Sequence, residues 1–418
     1  MTKTIIYNIN ELVTCSGFSS KHKEEMNDLH IKYDSAIYIE DEIIKDIDSE
    51  SIIFSKYMKD DIILIDANKK CVLPGFIDSH THLVFGGYRE NEFYQRINGA
   101  TYMEIMEKGG GIINSVNATR KATVQELIDK SLIVLKSMLS YGVTTIEAKS
   151  GYGLDLDNEI KQLEVAKDLE KLQPIEIIST YLGAHAYINT DNMSKNEYIS
   201  FMSKVVLPVI KERNLARFVD AFVEKNVYSI DEGRKILTDA KELGFKIKIH
   251  ADELSCLEGS KLAAELKCVS ADHLLYASEE GITCLANNNV IATLLPLTAF
   301  NLKENYANGR KFIDKGCSVC IATDFNPGSC FSENINLAIL LSNLYMGLTI
   351  EEAITAVTIN AAAALSLEKS IGSIDVGKQA DIIILDYDSY KFIPYHLGSS
   401  SVNRVIKKGK IVFSKENK

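Results

Sequence analysis

Five of the chain's eight histidines, His80, His82, His185, His250 and His273, fall at the ends of short apolar runs. A neutral imidazole offers one nitrogen lone pair, and several converging on a point are what a divalent metal requires. The tightest pair sits in Leu73-Pro-Gly-Phe-Ile-Asp-Ser-His80-Thr-His82. There Pro74-Gly75 marks a turn, and Phe76-Ile-Asp-Ser-His80 reads as a buried strand. Side chains two apart on a strand share a side, so both imidazoles reach the same place. Alone, the pair could be no more than a polar strand end; the other histidines and Asp324 give it weight. His80, His82, His250 and Asp324 are assigned as ligands of one divalent ion, which leaves a position for water and lowers its pKa towards neutrality. A supporting hydrogen-bond role is the alternative for His250 and Asp324. His185 and His273 lie near the site without having to be ligands; either could hold the water or polarise a substrate carbonyl.

Such a site needs strands that deliver their ends to one face. The candidates are 76–82, 143–149, 175–185, 218–224, 246–253, 269–275, 290–296 and 318–325, with helical patterns between them at 158–172, 196–211, 230–243 and 257–266. Eight strands separated by helices predict an α/β chain with a (β/α)8 barrel over residues 71–373, whose chemistry sits at the C-terminal strand ends. The long gap from His82 to Val143 predicts extra chain over the mouth. Short β-like runs at 4–8, 35–40, 61–66, 380–385 and 402–413 predict one small β domain, sandwich-like, built from residues 1–70 and 374–418, because neither end could bury a core alone.

Composition narrows the function. With 418 residues, 46% hydrophobic and 25% charged, the chain is an ordinary globular one. A net charge of −11 argues against nucleic acid as a partner. No apolar run suits a membrane span, and no signal peptide is recognised, so a cytoplasmic enzyme is expected. The eight cysteines are expected to be reduced and mostly buried. Cys317-Ser-Val-Cys320 has zinc-knuckle spacing but no second pair, and reads as strand packing.

Three further signals lie near the strand ends. Arg89, seven residues past His82, has the fork geometry for a carboxylate. Asn326-Pro-Gly328-Ser329 is a turn able to offer backbone N–H groups. Gly109-Gly-Gly111 lacks the residues of a phosphate loop and reads as a lid turn.

Several stretches resemble the imidazolonepropionase family of the amidohydrolase superfamily, nearly end to end. They are Pro74–Glu92 with its Phe85-Gly-Gly-Tyr-Arg-Glu-Asn-Glu92, Glu147-Ala-Lys-Ser-Gly-Tyr-Gly153, Thr180–His185, His250-Ala-Asp-Glu253, Ser270–His273, Thr323–Ser329 and Pro394-Tyr-His-Leu-Gly398. His-x-His marks only the superfamily; the Phe85–Glu92 and Lys149–Gly153 stretches are far more specific. The resemblance implies hydrolysis of 4-imidazolone-5-propanoate to N-formimidoyl-L-glutamate, a step of histidine degradation, with one zinc or iron ion and a homodimer. Carried over residue by residue, it implies metal ligands His80, His82, His250 and Asp324. The implied substrate contacts are Arg89, Tyr152, His185, Glu253, Asn326, Gly328 and Ser329. In the expected mechanism Arg89 holds the propionate while Tyr152 and His185 fix the ring. Water activated at the ion attacks the ring carbonyl, and Asp324 takes its proton, helped by His273. The oxyanion is met by His185 or the ion, and Glu253 passes a proton to the leaving nitrogen. Many relatives bridge two metals with a carboxylated lysine on strand four; 218–224 holds none, so a single ion is expected. A heterocycle deaminase is the nearest rival, and a non-catalytic metal-binding protein the more distant one.

Overall fold

The structure, a computed structural model, describes residues 2–58, 61–100, 110–188 and 193–415. Five strands open the chain: β1 (Lys3–Val13), β2 (Ile31–Lys32), β3 (Ser35–Glu40), β4 (Ile43–Ser49) and β5 (Ile62–Pro74). Gly75 separates β5 from the eight strands of the barrel, β6 (Phe76–Asp78), β7 (Val143–Lys149), β8 (Glu176–Ala184), β9 (Phe218–Val223), β10 (Lys246–Ala251), β11 (Ser270–His273), β12 (Ile291–Leu294) and β13 (Val319–Ile321). The chain ends with β14 (Ile382–Leu385), β15 (Val402–Lys407) and β16 (Lys410–Ser414). The run 402–413 is thus two strands joined by a turn.

Strands β6 to β13 pair in sequence order, and the pairings are parallel. The ring closes at the mouth, where Thr81 bridges Phe325, Asp324 N–H donates to the His80 carbonyl at 3.0 Å, and His82 N–H donates to the Phe325 carbonyl at 2.8 Å. Closure therefore brings the first and last site segments together through their backbones.

The crossover helices follow their sequence signals. Ser229 and Glu232 form a capping box on the helix Ile230–Glu242, which buries Gly233, Ile236, Leu237 and Ala240, one stripe of a 3.6-residue period. One expected helix is interrupted: 196–211 is a helix over Lys195–Phe201, a π-turn over Met202–Val206 and a second helix over Leu207–Arg213. Pro208 has no N–H to return to the preceding turn, which accounts for the break in register. Among the described residues the gap before β7 holds three helices, Glu90–Ile97, Ile112–Lys121 and Val124–Ser140, rather than a plain loop. Gly109 of the expected lid turn lies outside the described residues; Gly111 caps the second of these helices.

Both termini share one sheet, in the order β16-β15-β14-β5-β1-β3-β4, with β2 against β1. Strand alternation divides β14 between two cores. Ile382 and Ile384 join Ile6, Leu12, Ile37 and Val72 in the sheet's own core, while Ile383 and Leu385 pack with Leu73 and Phe76 against the barrel. Strand β4 and the helix Glu50–Tyr57 were not anticipated, because Ile43-Ile-Lys-Asp-Ile-Asp-Ser is half polar. Cys317 and Cys320 are buried and free, and Cys320 Sγ lies 3.0 Å from Ser79 Oγ, as strand packing requires.

Candidate metal centre and substrate cavity

Chain closure delivers His80, His82 and Asp324 to one point, and β10 and β11 add His250 and His273. One nitrogen of His80, one of His82 and one oxygen of Asp324 lie within 4.8 Å of one another, as do one nitrogen each of His80, His250 and His273. His273 therefore stands as close to the cluster as the expected ligands, its ring 5.1 Å from that of His250. Its φ of 77° and the 54° of Asp324 are left-handed, conformations held where structure over-determines them, as at functional sites.

Hydrogen bonding orients the rings. His80 Nδ1 donates to Asp272 Oδ2 at 2.7 Å, which turns the Nε2 lone pair toward Asp324 Oδ1, 3.4 Å away. His250 Nδ1 sits 3.0 Å from Asp220 Oδ2, close although its N–H is not squarely aligned. His82 Nε2 lies 3.6 Å from Asp324 Oδ1, and Thr298 donates to Asp324 Oδ2 at 2.6 Å. Among the described residues, His80 Nε2, His82 Nδ1, His250 Nε2 and His273 Nδ1 are buried without a hydrogen-bond partner.

Lone pairs facing a carboxylate in a dry interior are costly unless a positive charge lies between them. Burial and the Lys149 ammonium push the His80 pKa down, yet Asp272 and Asp324 lift it to about 9. The pocket thus attracts a cation, and a proton is the smallest that fits. Burial holds His82, His250 and His273 well toward the neutral form a metal needs. Burial opposes ionisation of Asp324, but the neighbouring His80 and His273 imidazoles and the Thr298 hydroxyl outweigh it and leave the carboxyl at about 2. Neutral nitrogens beside a charged oxygen are a donor set that fits a divalent ion.

A cavity of about 510 Å³ opens above the cluster, lined by His82, Arg89, Tyr152, His185, His250, Glu253, His273, Asp324, Asn326, Gly328 and Ser329. Every expected site residue is in this wall except His80, which lies beneath it. Gly151 makes one contact possible: its φ is 109°, and a side chain there would meet His185 Nδ1 at 3.0 Å. His185 Nδ1 consequently donates to the Gly151 carbonyl at 3.1 Å, so Nε2 carries a lone pair. Burial drops this imidazole to about 3. A neutral ring presenting a lone pair accepts a substrate N–H and does not donate to an oxyanion. Tyr152 stays a protonated donor, burial and Asp324 raising its phenol.

The amide of Asn326 is occupied in its own turn. Its Oδ1 accepts from the N–H groups of Gly328 and Ser329, both at 2.8 Å, and its Nδ2 donates to the Asp324 carbonyl at 2.7 Å. Glu253 is buried, and loss of water together with the Asp324 charge lifts it from 4.5 to about 8. The folded chain then keeps a proton that the unfolded chain releases near 4.5, so this group's contribution to stability falls between about 4.5 and about 8. Glu253→Gln should remove that slope, giving a melting temperature above wild type at pH 9 but not at pH 4.5, read by calorimetry at the two pH values.

Several residues around the site escaped sequence reasoning. Arg96, Glu92 and Phe222 line the cavity, and Thr298 supports Asp324. Glu92 accepts from Arg89 Nε at 2.8 Å and Nη2 at 2.7 Å, and takes the Gly111 N–H at 3.1 Å. It stands in the Phe85–Glu92 motif three residues from Arg89, and that spacing on a helix was the available signal.

A barrel carrying a buried histidine–aspartate cluster at its C-terminal mouth defines a metal-dependent hydrolase scaffold. The amidohydrolase family model matches residues 71–412. The chain is 52% identical over 411 residues to an imidazolonepropionase of Clostridium tetani, covering 98% of each chain. It is 48% identical to one of Parabacteroides distasonis, covering 98% of this chain and 99% of that one. The chain belongs to the amidohydrolase family and, within it, to the imidazolonepropionases. Among solved structures, Escherichia coli guanine deaminase shares the fold with a TM-score of 0.73 at 15% identity over the full length of both chains. A triazine hydrolase variant does so with a TM-score of 0.75 at 15% identity, over 99% of this chain and 95% of that one.

Proposed function

We infer that the chain hydrolyses the ring amide C–N bond of 4-imidazolone-5-propanoate, giving N-formimidoyl-L-glutamate. The observation that carries this reading is a single cavity lined by both the metal-ligating cluster and the Arg89 guanidinium. His80, His82, His250 and Asp324 are the proposed ligands of one zinc or iron ion. When bound, that ion supplies Lewis acidity toward water and the ring carbonyl. A single ion is supported by Phe222, the residue of β9 that faces the cavity: its ring lies 5.8 Å from that of His250 and offers no ligand.

The chain's own groups divide the remaining work. Glu92 engages Nε and Nη2 of Arg89, and Nη1 beside Gly328 is left for the propionate carboxylate. Tyr152 donates to the substrate, and His185 Nε2 accepts a ring N–H. Asp324 accepts the proton of the attacking water. Glu253, protonated near neutral pH and 3.5 Å from His273 Nε2, delivers a proton to the leaving nitrogen. That role makes kcat fall as pH rises through about 8, and a flat or rising profile would contradict it.

Gly328 has a steric reason to be glycine, since a side chain there would meet Arg89 Nη1 at 2.0 Å. Gly328→Ala should displace the guanidinium and raise KM by roughly 10- to 100-fold, in steady-state kinetics, with kcat less affected.

A homodimer is supported by an exposed apolar patch of Leu344, Tyr395 and Leu397, and light scattering would test it. No helix among the described residues is long and apolar enough to cross a membrane. The reaction is tested by following the ultraviolet absorbance of fresh substrate with metal-loaded protein, with and without chelator. Metal-dependent loss with formimidoylglutamate as product is expected. No loss, or release of ammonia from a different heterocycle, would reject the substrate.

A further inference from the structure

Below the cluster the barrel is filled with charge. Glu147 and Lys149 on β7, Asp220 on β9, Lys248 on β10 and Asp272 on β11 have fully buried side chains. The proposed reaction assigns them nothing, and burying five ionisable groups is expensive unless they are paired. Their pairing is specific. Lys149 Nζ lies 2.6 Å from Asp220 Oδ2 and 3.4 Å from Asp272 Oδ2. Those are the same two oxygens that face the Nδ1 atoms of His250, at 3.0 Å, and His80, at 2.7 Å. One ammonium therefore holds two carboxylates on neighbouring sides of the barrel, and each carboxylate faces a different proposed metal ligand. Lys248 shares Glu147 and Asp272 with Lys149, whose Nζ lies 3.1 Å from Glu147 Oε2, but of the two only Lys149 is paired with Asp220. Lys248 bonds Glu147 Oε2 at 2.7 Å and the Ser79 carbonyl at 3.1 Å, and stays 3.8 Å from Asp272.

We propose that Lys149 is a positioning residue for the metal centre, fixing through Asp220 and Asp272 the ring orientations of His250 and His80 that turn Nε2 toward the ion.

The inference rests on the metal reading given above. The chemistry is that of a carboxylate–histidine–metal arrangement, in which an ionised carboxylate keeps the proton on Nδ1 and Nε2 free to ligate. Lys149 Nζ anchors both carboxylate oxygens in the lumen, at 2.6 and 3.4 Å. Without it each carboxylate is free to turn away from its imidazole, and the ring that it orients is no longer held with Nε2 toward the ion. Shared control also means that His80 and His250 fail together.

The test is metal affinity and geometry, measured on metal-stripped full-length protein titrated with Co2+ against a competing chelator. Lys149→Met should raise the Co2+ Kd by about 10- to 100-fold and alter the visible ligand-field spectrum of the bound ion. Lys248→Met, which removes a buried ammonium 3.8 Å from Asp272 and leaves the Lys149–Asp220 contact in place, should lower thermal stability yet change the spectrum clearly less than Lys149→Met. Lys149→Met that folds and binds Co2+ with wild-type affinity and spectrum overturns the proposal, as does an equal spectral change in Lys248→Met. Should Lys149→Met not fold, the isosteric Asp220→Asn and Asp272→Asn carry the test. Each must weaken binding, and unchanged affinity in either overturns it. Wild-type protein that binds no Co2+ would remove the metal reading itself, and this inference with it. Normal wild-type binding with unaffected variants removes this inference alone.

Discussion

Asp324→Asn is expected to lower kcat/KM by about 10⁴-fold and to weaken metal binding in the same protein. The carboxylate is asked to do two things, and the substitution damages both. It supplies the negative charge opposite His80 Nε2 and His82 Nε2, at 3.4 and 3.6 Å, which makes the pocket attractive to a cation. Its ionised form is also the proposed proton acceptor for water. An amide of the same shape keeps the packing but loses the charge, and if its nitrogen faces Thr298 it opposes a donor with a donor. Thermal stability should change far less than activity, because Asp324 lies at the mouth and not in the apolar core. A variant within tenfold of wild type in kcat/KM would mean that Asp324 is neither ligand nor base.

The second large effect belongs to Arg89. Arg89→Met should reduce kcat/KM by roughly 10²- to 10³-fold, mostly through KM, the cost of leaving a substrate carboxylate without its charged partner in a semi-enclosed cavity. Arg89→Lys should recover little of this. A lysine cannot engage Glu92 through two nitrogens, as Arg89 does at 2.8 and 2.7 Å, while presenting a third to the substrate. The control is an imidazolone without the carboxylate, which wild type and Arg89→Met should turn over equally slowly. A variant impaired on that analogue as well would assign Arg89 to holding the mouth together and not to reading the propionate.

Much of this site was legible beforehand. The eight barrel strands announced themselves as apolar runs, although the first and last are only Phe76–Asp78 and Val319–Ile321 where 76–82 and 318–325 were expected. His80, His82 and Asp324 therefore lie just past the strands, at the end where a barrel's chemistry must sit. What escaped notice escaped for physical reasons. The expected helix 196–211 looks continuous by periodicity, and only the missing N–H of Pro208 breaks its hydrogen-bond register. Asn326 reads as a polar group beside the site, but an Asx-type turn consumes its amide, a competition with the backbone that spacing does not reveal. His185 reads equally as donor or acceptor until the Gly151 carbonyl is seen against Nδ1. Lys149 was noticed as a strand end, yet its side chain points down into the lumen. The alternation Glu147-Ala-Lys149 and Lys248-Ile-His250 carried that message, since a charge on a strand buried on both faces must find its partner inside the barrel. Thr298 and Glu92 act through other residues, and such roles emerge only from distances.

The most direct test is to titrate metal-stripped protein with Zn2+ while following hydrolysis of 4-imidazolone-5-propanoate. Activity should rise in proportion to added metal and level off at one ion per chain, with His80→Ala inert at every loading. A plateau at two ions, or no hydrolysis by folded, fully loaded protein, would contradict the account.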